Sequence, residues 1–276
     1  MKTICSSLAF LLCVLSLQAA PKDYAKLSEA LFSEKKGAWE DAKNWKGNAV
    51  PGENAFAVLR NSCAVSISQK VPDIASLHIG STGEAPVLTI EKGGALKARD
   101  VRVWRNVKGA GAELVIDGGE VEADLMSIGA CRTLSSTGIV NVNSGKLSGR
   151  IYVGSDLPNT GTGTLSLNGS DASVEPSKER GQLLLQTSGT LCFNLDEKGV
   201  GSVNFERAPV VLGSGSKIIV NGKNYRGGKK TIPLIIHSSI RDEGASLRAE
   251  EFPSGLTALI QKKPGRILLR IDKAEK

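Results

Sequence analysis

The residues on which most catalytic and metal sites depend are scarce in this chain. It holds two histidines, His78 and His237, and their positions fit neither a metal-binding motif nor a catalytic triad. It contains no phosphate-binding loop, no Gly-x-Ser-x-Gly elbow and no His-Glu-x-x-His segment. The sequence therefore argues against the commonest hydrolase, kinase and metalloprotease classes.

Aromatic residues and cysteines are also few. Aromatic residues make up 4% of the chain, yet two of its three tryptophans, Trp39 and Trp45, lie close together. Exposed tryptophans could stack on sugar rings, or the pair could fill a core, and the sequence leaves both readings open. After residue 20 the cysteines are Cys63, Cys131 and Cys192, which lack zinc spacing and can form at most one disulfide.

Long hydrophobic runs are absent except at the start of the chain. A basic Lys2, an apolar run within residues 8–17 and the small pair Ala19-Ala20 predict a secretory signal peptide over residues 1–20. The run is too short for a membrane span, and no later stretch could cross a bilayer. We therefore predict a secreted, periplasmic or cell-surface protein whose mature chain has no transmembrane span.

What the chain has in abundance is a repeat, written four times between Ile74 and Val174. Its apolar anchors recur at steps of 24 to 26 residues in two series: Ile79, Val103, Ile128 and Val153, then Ile90, Ile116, Val142 and Leu167. Three short alternating strands per period indicate one turn of a parallel β-helix, and turns must stack because one alone cannot bury its apolar face. We predict an all-β, right-handed, single-stranded parallel β-helix, since a six-residue left-handed repeat does not fit this period.

The same register predicts the corners and the outward side chains. The corner pairs are Gly93-Gly94, Gly118-Gly119, Ser144-Gly145 and Asn168-Gly169, which supply the positive φ of a sharp turn. The first outward ladder is His78, Arg102, Ser127 and Tyr152, and the second is Thr89, Val115, Asn141 and Ser166. On the third face, Lys97 with Glu122 and Glu120 with Lys146 place opposite charges on neighbouring turns.

The repeat divides the chain into four segments. After the signal peptide, residues 21–56 form an N-terminal cap in which Tyr24, Leu27 and Leu31 have the spacing of a short amphipathic helix. Residues 57–215 form the parallel β-helix. Residues 216–276 contain longer strands separated by turns such as Asn221-Gly222, which predicts an antiparallel C-terminal β cap.

Several of these features resemble a known group of proteins. Trp39, Asn44-Trp45 and Pro51-Gly52, followed by Leu77-His78-Ile79-Gly80 and corners of the form Gly-Gly-x-Leu, are similar to secreted bacterial β-helix proteins related to autotransporter passengers. The resemblance covers about residues 37–273 and implies the fold and a surface location. It implies no chemistry. One departure is Trp104-Arg105, which replaces the glycine expected after the first strand of the second repeat.

The positive charge lies at the C-terminal end. The whole chain carries +7, and residues 217–276 hold 13 Lys and Arg against 6 Asp and Glu, so this segment accounts for the entire excess. Two lysine doublets, Lys229-Lys230 and Lys262-Lys263, lie beside turns. They suggest an anionic polysaccharide or a cell-envelope surface as partner, or a solvated guard against edge aggregation. No nucleic-acid-binding motif is present, so nucleic acid is not expected as a partner.

One group could carry chemistry. Asp100, Asp124 and Arg150 each precede a first strand, so two carboxylates one turn apart could hold calcium with Arg150 beside a uronate, although Arg150 could equally pair with Asp124. We therefore expect a non-catalytic protein of adhesion, carbohydrate binding or scaffolding, with a lyase-like or glycoside hydrolase-like enzyme acting on acidic glycans as the alternative. No catalytic residue, metal or cofactor is assigned. The candidate ligand-binding residues are Trp39, Trp45, His78, Arg102, Tyr152, Lys229, Lys230, Lys262 and Lys263.

Overall fold

Short strands joined by tight corners wind the chain into a parallel β-solenoid of about eight turns. The computed structural model describes residues 27–80, 85–104, 111–130, 136–157, 161–177 and 181–274. Within these ranges the one helical segment is a 3₁₀ turn at Ala42–Asn44. None of the described residues forms a helix that is long and apolar enough to cross a membrane.

The strands follow one another with short connections. In chain order they are β1 (Ser28–Leu31), β2 (Lys36–Ala38), β3 (Ala55–Leu59), β4 (Ala64–Ile67), β5 (Ile74–Ile79), β6 (Val87–Glu91), β7 (Ala95–Val103), β8 (Ala112–Ile128), β9 (Thr137–Val153), β10 (Thr162–Asn168), β11 (Ala172–Glu175), β12 (Gln182–Leu185), β13 (Gly189–Asn194), β14 (Ser202–Leu212), β15 (Lys217–Asn221), β16 (Lys230–Asp242), β17 (Ser246–Glu250), β18 (Leu256–Lys263) and β19 (Arg266–Lys273).

Parallel pairing between successive turns builds three faces. Face A stacks Ala57, Leu77, Val101, Met126, Ile151, Leu183 and Val210 in register. Face B stacks Val65, Leu88, Leu114, Val140, Leu165, Leu191 and Ile218. Face C stacks Leu96, Val121, Leu147, Val174, Val203 and Ile235. Strand β8 is long because it passes through all three faces without a break.

The core is the continuous column of side chains that these faces enclose. Ile79, Val103, Ile128 and Val153 stack in one ladder of face A, each 0% exposed, as their spacing predicts. The anchors of face B are likewise buried and in register. Alternation along each strand places every second side chain inside, so each turn closes the apolar face of the turn before it.

Glycine shapes the corner between faces B and C. Gly93, Gly118, Gly145 and Gly169 all have positive φ, between 87° and 90°. A Cβ on Gly145 would approach the carbonyl oxygen of Gly119 to 2.2 Å, so the turn below leaves no space for a side chain. The corner glycines thus serve both the turn geometry and the close stacking of backbone on backbone.

The prediction of an N-terminal helix is wrong for the described residues. Residues 28–31 form strand β1, where Leu31 pairs with Val58 of β3, and Lys36–Ala38 form β2 beside β4. The three-and-four spacing of Tyr24, Leu27 and Leu31 is too short to outweigh the backbone hydrogen bonds offered by an adjacent strand edge. Parallel pairing therefore begins before residue 57. The predicted signal peptide and residues 21–26 lie outside the described residues.

Parallel pairing also continues beyond residue 215. Strand β15 lies parallel to both β13 and β17, so it belongs to face B and not to an antiparallel unit. Antiparallel pairing starts only where β19 adds to β16 and β18 adds to β19. Leu256, Ala258 and Ile260 of β18 are partly buried against the core, whereas Leu259 between them is 60% exposed.

Candidate functional site

The outer surface of face A presents the ladder that the repeat predicts. Neighbouring strands place five residues in one register, each opposite the next: His78, Arg102, Ser127, Tyr152 and Leu184. Neighbouring members lie about 4.8 Å apart along the solenoid axis. We give the name face A strip to seven half-buried residues of this face: Phe56, His78, Arg102, Ser127, Arg150, Tyr152 and Leu184.

At one end of the strip, His78 packs against an aromatic ring. Its imidazole meets Phe56 edge to face, with centroids 4.5 Å apart and an interplanar angle of 88°. Burial, together with the nearby positive charges of Arg102 and Arg60, lowers the pKa of His78 to about 4. His78 is therefore neutral at pH 7 and contributes an aromatic surface instead of a charge.

Arg102 is held by a carboxylate on its own strand. Its Nε donates to Asp100 Oδ2 at 2.8 Å, and Ser76 Oγ lies 3.5 Å from the same oxygen. Asp100 is only 4% exposed, whereas the Arg102 side chain is 42% exposed. Arg102 thus contributes a fixed hydrogen-bond donor with most of its charge already balanced.

Further along the strip, a cation lies over an aromatic ring. The guanidinium carbon of Arg150 is 5.8 Å from the ring centroid of Tyr152, two residues along β9. The Arg150 Nε is buried and has no hydrogen-bond partner. The repeat spacing predicts Tyr152 as a ladder residue but does not reveal its contact with Arg150, which is an i, i+2 contact along one strand.

The structure does not bring together the two carboxylates that could have held calcium. Asp100 is in register with Leu125 and not with Asp124, and its carboxylate is taken by Arg102 and Ser76. Asp124 is exposed, and the ion pairs of the described residues include none between it and Arg150. Strands β7 and β8 pair at a constant step of 25 residues here, so a step of 24 does not superimpose Asp100 and Asp124. Asp124 also lies where the register between β8 and β9 shifts, between Ala123 and Met126. No group of three metal-ligating side chains occurs in the described part of the chain.

Trp39 and Trp45 are not available for sugar stacking, because they are 0% and 1% exposed. Their rings meet at a centroid distance of 4.6 Å, and Trp45 also meets Phe32 edge to face at 5.2 Å. The Trp45 Nε1 donates to the Trp39 carbonyl oxygen at 2.7 Å. The pair fills the first turn of the solenoid, which was the other reading of the sequence.

The four candidate lysines do not form one patch. Lys229 pairs with Asp272 at 3.2 Å, Lys230 donates to the Lys198 carbonyl oxygen at 2.9 Å, and Lys262 pairs with Asp242. Lys263 is exposed. In the strand register, Lys230 lies opposite Ile271 and Lys263 lies opposite Arg266. The two doublets therefore lie at opposite ends of β19, separated by about 15–20 Å of extended chain.

A cleft lies outside the corner between faces C and A. It encloses about 250 Å³ and is lined by Glu53, Asn54, Asp73, Ile74, Lys97, Ala98, Arg99 and Asp124. Lys97 also forms the predicted ion pair with Glu122, at 3.2 Å. The second predicted ion pair, between Glu120 and Lys146, is not formed. Lys146 pairs with Glu175 at 2.5 Å. The cleft mixes charges of both signs without an aromatic wall.

The two cysteines in the described residues are poor nucleophiles. Burial raises the pKa of Cys63 to about 11 and also raises that of Cys192, so both remain thiols at neutral pH. Both are free. Cys131 lies outside the described residues, so the predicted limit of one disulfide stays untested for it.

The fold and the strip together define a β-solenoid with a mixed aromatic and cationic ladder on one face. No family model, no curated protein and no solved structure matches the chain. The argument for function therefore rests on the side chains of the solenoid surface.

Proposed function

We propose that this protein is a secreted, non-catalytic β-solenoid that binds carbohydrate along the face A strip and acts in adhesion or scaffolding at a cell surface. The observation that carries this proposal is the ladder itself. Successive turns align His78, Arg102, Ser127 and Tyr152 in one register, so two aromatic rings, a cation and a hydroxyl lie in one row, one turn apart.

An extended sugar chain suits such a surface. Its C–H faces can pack on the rings of Phe56 and Tyr152, while its hydroxyls can accept from Arg102 or exchange hydrogen bonds with Ser127. These side chains are fixed by the β-ladder, so little side-chain freedom is lost on binding. The alternative, an enzyme acting on acidic glycans, requires free carboxylates, and the carboxylate beside the strip, Asp100, is already bonded to Arg102 and Ser76.

We also propose the export, handedness and relationship that the sequence suggests. Residues 1–20 direct export, the solenoid winds right-handed, and the protein is related to the secreted autotransporter-passenger-like β-helices that its repeat resembles. The β18–β19 hairpin acts as the C-terminal cap, because its partly buried apolar side chains cover the last turns. Covering an open end limits edge-to-edge aggregation.

A direct test compares retention of the purified protein on a panel of immobilised neutral and acidic polysaccharides. Tyr152→Ala removes an aromatic ring of the strip and should lower retention at least about fivefold. Val115→Ala, on the outward ladder of face B, is the matched control and should leave retention unchanged. The proposal fails when no polysaccharide retains the parent protein or when both variants lose retention equally.

A further inference from the structure

Arg150 is the cation of the face A strip that has no counter-ion. Arg102 is paired with Asp100, whereas the ion pairs found among the described residues do not include Arg150. Its Nε is buried without an acceptor. The residue as a whole is only half-buried, so the terminal nitrogens remain the part that a ligand can reach.

A guanidinium in this position favours an incoming anion. A charge partly withdrawn from water and left without a partner raises the free energy of the unbound protein, and an anion placed beside it recovers that energy. The Tyr152 ring, with its centroid 5.8 Å from the guanidinium carbon, favours the orientation in which the guanidinium lies over the ring. A pre-oriented fork therefore binds with a smaller loss of side-chain freedom than a mobile lysine does.

The charges around the strip agree with this assignment. Asp100 and Arg102 balance one another, and His78 is neutral at pH 7. Arg150 then leaves a net positive charge on the strip. Among the described residues, no carboxylate forms an ion pair with this guanidinium.

We infer that Arg150, oriented by Tyr152, binds the carboxylate of an acidic sugar in the glycan that lies along the strip. The planar carboxylate matches the two terminal nitrogens of a guanidinium, and each can form its own hydrogen bond. This inference rests on the proposed function and adds the ligand class to it. It places recognition of acidic sugars on face A and not on the C-terminal lysines, of which Lys229, Lys230 and Lys262 already have protein partners.

The test uses one polymer in two forms, polygalacturonate and its fully methyl-esterified, uncharged derivative. The parent protein should bind the acid form at least about tenfold more tightly. Arg150→Gln should remove that preference and leave binding to the ester unchanged. Arg150→Lys, which keeps the charge without the planar fork, should lose about threefold on the acid form. Lys92→Gln makes the same charge change at an exposed site outside the strip and should alter neither affinity.

Each result decides between the two proposals. A parent protein that binds neither polymer overturns the proposed function together with this inference. Equal binding of both forms, or a preference that survives Arg150→Gln, overturns the inference and leaves carbohydrate binding in place. Equal loss in Lys92→Gln shows a general charge effect and also overturns it. Dextran sulfate is the third polymer in the test. If the parent protein binds it as tightly as polygalacturonate, the assignment of a sugar carboxylate as the ligand of Arg150 is overturned.

Thermal unfolding separates a binding role from a packing role. Gln at position 150 removes a buried Nε that has no acceptor, so the midpoint of unfolding should not fall. A lower midpoint combined with unchanged binding would show that Arg150 only packs on Tyr152. If Arg150→Gln does not fold, the loss expected of Arg150→Lys on the acid form provides the test.

Discussion

Asn168 lies one turn above Asn143, and its Nδ2 donates a 2.8 Å hydrogen bond to Asn143 Oδ1. Asn194 repeats the contact on the next turn, donating to Asn168 Oδ1 at 2.7 Å, and Asn221 continues the register. Stacked side-chain amides of this kind are typical of strands that repeat in register. The ladder runs along the outer edge of face B and adds hydrogen bonds parallel to those of the backbone.

Asn168→Ala should destabilise the protein more than Asn143→Ala. Asn168 takes part in two side-chain hydrogen bonds of the ladder, and Asn143 in one. Each contributes about 0.5–1.5 kcal/mol, so we expect a loss of about 1–3 kcal/mol for Asn168→Ala and about half of that for Asn143→Ala. Urea unfolding measures both. Equal losses would show that the amides do not act as a continuous ladder.

Ile128→Ala should open a cavity in the continuous core. Ile128 is 0% exposed and stacks between Val103 and Val153, which are held in place by their own turns and cannot collapse into the space. The expected loss is about 2–5 kcal/mol in the free energy of unfolding. Ser127→Ala, the outward neighbour, should stay within about 0.5 kcal/mol. A loss for Ile128→Ala as small as that for Ser127→Ala would contradict a continuous core.

The solenoid could be predicted because its stacking leaves a period in the sequence. Every buried anchor must meet its counterpart one turn away, so Ile79 and Val103, or Ile90 and Ile116, recur at nearly fixed steps. The same constraint fixes the outward ladders. For this reason the register of His78, Arg102, Ser127 and Tyr152 followed from spacing alone.

The first turn could not be predicted in the same way. Strands β1 and β2 are only four and three residues long, and their apolar pattern is too short to separate a strand from a helix. Their structure is decided by pairing with β3 and β4, which a local pattern does not contain. Burial of Trp39 and Trp45 likewise depends on how the 3₁₀ turn folds back, since Trp45 bridges to Phe32.

The contacts of the candidate site were only partly predictable. Spacing identifies which turns are neighbours, but a difference of one residue in the step changes which side chains meet, as for Asp100 and Asp124. Contacts within one strand, such as Arg102 with Asp100 and Arg150 with Tyr152, leave no trace in the period. The Asn ladder does have a signal, because Asn143, Asn168 and Asn194 recur at steps of 25 and 26.

Trp45→Phe should test the structural role of the tryptophan pair. Phenylalanine keeps an aromatic ring beside Trp39 and Phe32 but removes the Nε1 donor, which leaves the Trp39 carbonyl oxygen buried without it. We expect a loss of about 1–3 kcal/mol in the free energy of unfolding and no change in polysaccharide retention. Lys46→Ala, at the exposed neighbour, should stay within about 0.5 kcal/mol. Loss of retention with stability unchanged would instead support glycan contact at this turn.

The stability of the fold should fall as the pH drops from 6.5 towards 4, and His78 should account for part of that fall. Burial, together with Arg102 and Arg60, lowers its pKa from 6.5 to about 4, so the unfolded chain takes up a proton in this window that the folded chain does not. Proton uptake by the unfolded state favours unfolding, and below pH 4 both states are protonated and the effect ends. Each pKa unit corresponds to 1.36 kcal/mol, and because the ring is only half-buried we expect a loss of about 1–3 kcal/mol in all.

Urea unfolding of the parent protein and of His78→Gln at pH 7.0, 6.0 and 5.0 measures the difference. Burial also lowers the pKa of His237, so His237 supplies the slope that persists in the variant. Identical pH slopes for parent and variant would show that His78 keeps an ordinary pKa.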